Sequence, residues 1–178
     1  MRYAEVFSVS LSDEKSNEEI ETAWRKLTDD VRTGVLLTLR DGHPFGSHVP
    51  YLLGNDWSRV YLHLSRLALH TQHLLADPRV SLFIAEPDKA GKNPTTLQRI
   101  NLQGNAVILP VTEGSYETVK HRYMAKFPQS EMLFGFGDFA LWELRMHDAH
   151  LVLGFGQAYQ ASASAPDQWR HQKPEKKT

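Results

Sequence analysis

The chain has 178 residues, 41% of them hydrophobic, with 20 Lys+Arg against 21 Asp+Glu and no cysteine. Its length suits one domain with a sizeable core. The missing cysteine excludes a disulfide framework, a thiol nucleophile and a cysteine zinc site, as expected of a cytoplasmic protein, and the near-zero net charge gives no global pull toward nucleic acid or an anionic membrane.

The N-terminal MRYAEVFSVSLSDEKS lacks the continuous apolar core of a signal peptide. Apolar runs such as Val80–Ala85 are too short to span a bilayer. Ser16-Asn-Glu-Glu19 reads as a capping box. Ile20, Ala23, Trp24, Leu27 and Val31 then form a helical stripe, with Gly34 as a plausible stop. A Val/Leu-rich strand to Arg40 reaches Asp41-Gly42, a strong hairpin turn. A strand over 43–53 follows, and its Pro50 marks an edge or bulge because proline lacks the ladder N–H. Residues 59–64 alternate, with Val60, Leu62 and Leu64 on one face and Tyr61 and His63 on the other. A short helix over 67–76 stops at Asp77-Pro78, and 80–86 reads as a central strand. After a polar loop comes a long strand over 97–109, then an amphipathic helix over 113–126 stopped by Pro128. Residues 139–146 and 150–160 read as a strand pair turning at Asp148-Ala149. From Ala161 the composition becomes a small-residue linker and a basic tail, expected to be mobile unless a partner or cofactor orders it. The prediction is a mainly β protein: a β-barrel of six or seven strands with peripheral helices. One domain is expected over 1–160, followed by a flexible tail over 161–178.

Few motifs carry chemistry. Ser65-Arg66-Leu67-Ala68 leads from a strand into a helix, so a hydroxyl, a guanidinium and a helix N-terminus meet where an anion could bind. His70 and Thr71 could add donors, although a plain Ser N-cap with a surface Arg accounts for the same letters. Gln98 and Arg99 open the long strand and point to opposite faces. Gly135-Phe-Gly-Asp-Phe-Ala140 has the letters of a dinucleotide fingerprint, but a strand follows where a helix is required. Nine histidines invite a metal reading, yet the pairs His70/His73 and His147/His150 lack a third spaced ligand, and no metal site is expected from spacing. His171 in the tail could reach an iron.

Several segments together resemble the FMN-binding split barrel of the pyridoxamine 5′-phosphate oxidase-like superfamily. They are Thr33–Leu39, Ser47-His-Val-Pro-Tyr51, Ser65-Arg66 with Leu67–Thr71, Asp77–Leu82, Arg99–Gly104 and Gly154-Phe-Gly-Gln-Ala-Tyr159. The last is similar to the haem-utilisation branch. The resemblance implies a six-stranded Greek-key barrel and a homodimer with cofactor sites at the subunit interface. It places FMN along Ser47, His48, Val49 and Pro50, with its phosphate at Ser65 and Arg66, near His70 and Thr71, and with Gln98 and Arg99 approaching it. A flavin-dependent oxidoreductase acting on a small molecule is the leading expectation, because Arg66 suits a phosphate-bearing cofactor. Leu67 stands where the vitamin B6 oxidases carry a phosphate-binding lysine, so that activity itself is not expected. The alternative is haem binding or degradation, with His171 as iron ligand and Asp138 contributed by the other subunit. A non-catalytic dimer with a vestigial site is the third.

Overall fold

The computed structural model describes residues 15–173. Helix α1 (Asn17–Asp30) begins as its capping box dictates. The Glu19 amide donates to Ser16 Oγ (3.2 Å), and the Ser16 amide donates to a Glu19 carboxylate oxygen (2.8 Å). Each such cap contributes about 1 kcal/mol. The helix ends at Asp30, not at Gly34, which lies inside the next strand. A side chain at Gly34 would press on Leu82 and Ile84, so the glycine lets two strands approach closely.

Strands β1 (Thr33–Arg40) and β2 (His43–Pro50) form the hairpin expected of Asp41-Gly42, both at positive φ. Then follow β3 (Leu52–Leu53), β4 (Arg59–Ser65), α2 (Leu69–Ala76), β5 (Arg79–Ala85), a 3₁₀ turn (Pro94–Thr96) and β6 (Arg99–Ile108). Helix α3 (Tyr116–Lys126), 3₁₀ turns at Pro128–Ser130 and Met132–Gly135, β7 (Phe139–Gly154), β8 (Gln157–Ser162) and β9 (Ala165–His171) complete the order. The pairings are antiparallel, in the order β2-β1-β5-β6-β7-β4-β3, with β8 added to β7 and β9 to β8. The architecture is mainly β with peripheral helices, as expected, but among the described residues the sheet has nine strands rather than six or seven. Pro50 closes an edge strand, where its missing N–H costs no ladder bond.

Two further segments differ from the sequence expectation. Asp148-Ala149 is not a turn: β7 runs through it as one strand of 16 residues. Its first half pairs with β4 and its second half with β8, while β6 lines its other side. A bulge makes this possible, with His147 as the extra residue opposite Gln103 and Gly104. Gly104 is required there, since a Cβ would come within 2.1 Å of the Arg145 carbonyl oxygen. The second difference concerns the expected flexible tail. Instead of a linker from Ala161, β8 continues to Ser162 and β9 runs to His171. Trp169 is buried in the core, and Trp57 Nε1 donates to the Pro166 carbonyl (2.8 Å). The extreme N-terminus and the last residues of the expected tail lie outside the described residues.

One apolar cluster fills the space between α1 and the inner sheet face, around Trp24, Tyr51 and Trp57. A smaller one lies under α3, around Leu52, Tyr123, Phe127 and Leu141. Among the described residues no helix is long and apolar enough to cross a membrane.

Candidate functional site

The pleat sorts the sequence-predicted residues by face. His48, Val35, Phe83, Asn101 and His150 share one cross-strand row, and the neighbouring row of Ser47, Leu36, Leu82, Leu102 and Ala149 faces the core. Ser47 and Val49 therefore turn toward the core side. His48, Pro50 and Arg99 turn toward the outer face. Ser65 stands opposite Phe139 on that outer face too, in phase with His63. A groove of about 530 Å³ lies on the outer face, lined in part by Leu37, Leu39, Arg79, Gln103 and His147. None of the predicted cofactor residues lines it.

The β4–α2 junction is bound to the start of β7. The Ser65 hydroxyl donates to Asp138 Oδ2 at 2.5 Å and accepts from the Leu67 amide at 3.1 Å. The Arg66 amide donates to the Asp138 carbonyl at 2.7 Å, and Arg66 Nη2 donates to the Gly137 carbonyl at 2.6 Å. Ser65 and Arg66, expected at a flavin phosphate, thus meet Asp138, expected at a haem. The serine proton is committed to a carboxylate, and that carboxylate brings negative charge to the place where a phosphate was expected. Arg66 remains exposed, with no carboxylate partner among the described residues. Ala68, which precedes α2, provides no side-chain cap. Leu67 and Leu69, both exposed, give this junction an apolar rim.

His70 is half-buried on α2, and that burial, with His73 close by, lowers its pKa. Thr71 is fully buried, and its Oγ1 has no hydrogen-bond partner among the described residues. The Gln98 backbone N–H donates to Glu86 (2.6 Å), and Arg99 Nη1 donates to the Leu97 carbonyl (2.9 Å). Arg99 opens β6 opposite Val152 of β7, whereas Ser65 stands opposite Phe139 at the other end of that strand.

His171 closes the C-terminal hairpin. It pairs with Tyr159 across β8 and β9, and the two rings are 5.1 Å apart. Its Nε2 donates to the Gly156 carbonyl at 2.8 Å. Its Nδ1 is buried without a partner among the described residues.

The sequence reading missed His63. Its ring stacks on Phe134 (centroids 3.8 Å apart, 12° between planes) and is flanked by Tyr123 and Phe139. Removal from water lowers its pKa to about 4, so the ring is neutral at pH 7. The alternation of β4 already put it opposite the core-facing leucines. That Phe134 covers it is a long-range fact with no local signal. Among the described residues no three His, Cys, Asp or Glu side chains gather to hold a metal ion.

A family model described as pyridoxamine 5′-phosphate oxidase matches residues 20–153. The chain is 36% identical over 124 residues to a chloroplastic non-canonical haem oxygenase of Arabidopsis thaliana, covering 68% of this chain and 36% of that protein. It therefore spans about a third of that relative. It is 24% identical over 153 residues to the haem oxygenase HutZ of Vibrio cholerae, covering 84% of this chain and 85% of HutZ. A solved haem-binding protein from Mycobacterium smegmatis superposes with a TM-score of 0.73 at 27% identity, over 87% of this chain and 61% of that one.

Proposed function

Because the chain belongs to the pyridoxamine 5′-phosphate oxidase-like split-barrel family, close to its haem-utilisation branch, we propose that it binds haem and takes part in haem degradation. The flavin expectation yields to its alternative here. One structural observation carries the preference: Ser65 donates to the Asp138 carboxylate, so the expected phosphate cradle already holds an anion. The names of the relatives point the same way.

In this reading His171 ligates the iron and Asp138 faces the site of a second subunit. The orphaned Nδ1 of His171 fits that arrangement, because a buried ring nitrogen without a partner needs one. The exposed Leu67 and Leu69 suit a surface covered by a second copy or a macrocycle. Bound haem would supply the iron centre for dioxygen chemistry, given electrons from an external donor. The chain's own residues bind and orient it and exclude water. A cytoplasmic location accords with the lack of cysteine.

Arg66 and the uncapped α2 favour FMN as the second reading, since both present unsatisfied positive character to a phosphate. Purified protein titrated with each cofactor separates the two. The expected result is a Soret band on haem addition, weakened in His171→Ala, with no flavin released on denaturation. Co-purified FMN lost in Arg66→Ala, with haem left as the free species, would reverse the assignment. Binding of neither cofactor would leave a vestigial site.

A further inference from the structure

We infer that Lys126 is an acylation site, an amine that accepts the acyl group of a small acyl phosphate whose phosphate is received by Arg32. The inference is independent of which cofactor the chain binds.

Two cations meet at one aromatic ring. Lys126 ends α3, and its Nζ lies 4.7 Å from the centroid of the Tyr51 ring and 5.7 Å from that of Phe127. Arg32, between α1 and β1, puts its guanidinium carbon 5.0 Å from the same Phe127 centroid. Its Nη2 donates to the Lys126 carbonyl at 2.7 Å. A hydrogen bond and a ring face thus hold the guanidinium beside the amine. Its other N–H groups have no partner among the described residues and form a fork suited to phosphate. Both rings are fixed: Phe127 is buried, and the fully buried Tyr51 bonds through its hydroxyl to the Thr28 and Val31 carbonyls.

The surroundings favour a free amine and an anionic reagent together. Burial lowers the Lys126 pKa; Asp29 opposes that shift and Arg32 adds to it. Among the described residues no carboxylate makes an ion pair with Lys126. Lys26 and Lys92 are the contrast. Each holds a carboxylate oxygen, of Asp30 at 2.6 Å and of Glu86 at 2.7 Å. Those carboxylates occupy the ammonium and repel an anionic reagent. The step at Lys126 balances without a cofactor. The amine, its ammonium proton lost to solvent, attacks the carbonyl carbon. An N–C bond forms, and the C–O bond to phosphate breaks. Phosphate leaves with the electron pair of that bond, and the second proton of the nitrogen goes to solvent. The product amide is neutral, so Arg32 is then the one cation left on the Phe127 ring among these two.

The test uses the full folded chain, with acetyl phosphate as the probe. Peptide mass spectrometry reads the acetylated fraction at each lysine over time. Each rate is divided by that of the same lysine in urea-unfolded protein, which cancels the effect of local sequence. Lys126 should run on the order of tenfold ahead of Lys26 and Lys92, the lower end of what a fixed opposite charge adds to the arrival of an anion. Inorganic phosphate, added at constant ionic strength, should slow Lys126 with this probe. It should leave the reaction of Lys126 with the uncharged N-hydroxysuccinimide ester of acetic acid unchanged. Arg32→Gln should lose most of the advantage with acetyl phosphate and less of it with the ester. A Lys126 no faster than Lys26 overturns the inference. Equal losses with the two probes in Arg32→Gln, or no competition by phosphate, overturn it too, because Arg32 then does not receive the phosphate. Should Arg32→Gln fail to fold, the competition in wild type decides alone.

Discussion

Trp24 on the inner face of α1, and Tyr51 and Trp57 packed in the same cluster, are fully buried, and each has an acceptor. Glu21 accepts from Trp24 Nε1, the Thr28 and Val31 carbonyls from the Tyr51 hydroxyl, and Pro166 from Trp57 Nε1. Across the sheet, under α3 and the 3₁₀ turns, His63 is nearly as deeply buried, yet its Nδ1 has no partner among the described residues. The two regions bury polar atoms to different ends. The first spends them on fixing α1 and the C-terminal hairpin to the sheet. The second keeps a titratable ring neutral among aromatics, next to the segment that delivers Asp138 to Ser65. One region supplies stability, and the other makes part of that stability depend on pH.

The largest effect should come from the first region. Trp57→Ala removes a fully buried ring and its tie to Pro166, and should cost about 3–5 kcal/mol in thermal or urea unfolding. A loss below about 1 kcal/mol would mean that this region does not carry the stability of the fold.

The second region should answer to acid. The folded ring titrates at about 4 and the unfolded ring near 6.5, so the unfolded state takes up the proton first. The stabilisation is complete above pH 6.5 and is lost as pH falls toward 4, by on the order of 2 kcal/mol. Urea midpoints compared at pH 7 and pH 4.5 should show this loss in wild type and a flatter profile in His63→Phe. An equal loss in that variant would assign the acid sensitivity elsewhere.

The smallest effect lies at the border of the second region. Ser65→Ala and Asp138→Asn should each cost about 1 kcal/mol, and the double variant little more than either. Strict additivity in that cycle would mean that the two side chains do not interact in solution.

Local patterns in the sequence were reliable where the physics is local. The capping box of Ser16 and Glu19, the Asp41-Gly42 turn and the edge position of Pro50 all depend on neighbours within a few residues. Asp148-Ala149 misled because a bulge lets a polar pair sit inside a continuous strand, and the bulge is fixed by Gly104 on another strand. Trp169 misled because its polar neighbours face out from β9, while it alone reaches the core. At the site, Ser65, Arg66, Asp138 and His171 were each legible as chemistry. That Ser65 and Arg66 meet Gly137 and Asp138, and that His171 faces Gly156, follows from strand pairing that no local window contains.

The long β7 strand also constrains how the chain can be made. Strands β1, β2, β5 and β6 can pair as soon as they are synthesised, but β4 has only the two-residue β3 beside it until Phe139–Arg145 arrives. Val60, Leu62 and Leu64, all destined for the core, therefore wait on an open edge through the synthesis of β5, β6 and α3. A nascent chain halted before residue 139 should be the species that chaperones hold and that aggregates first.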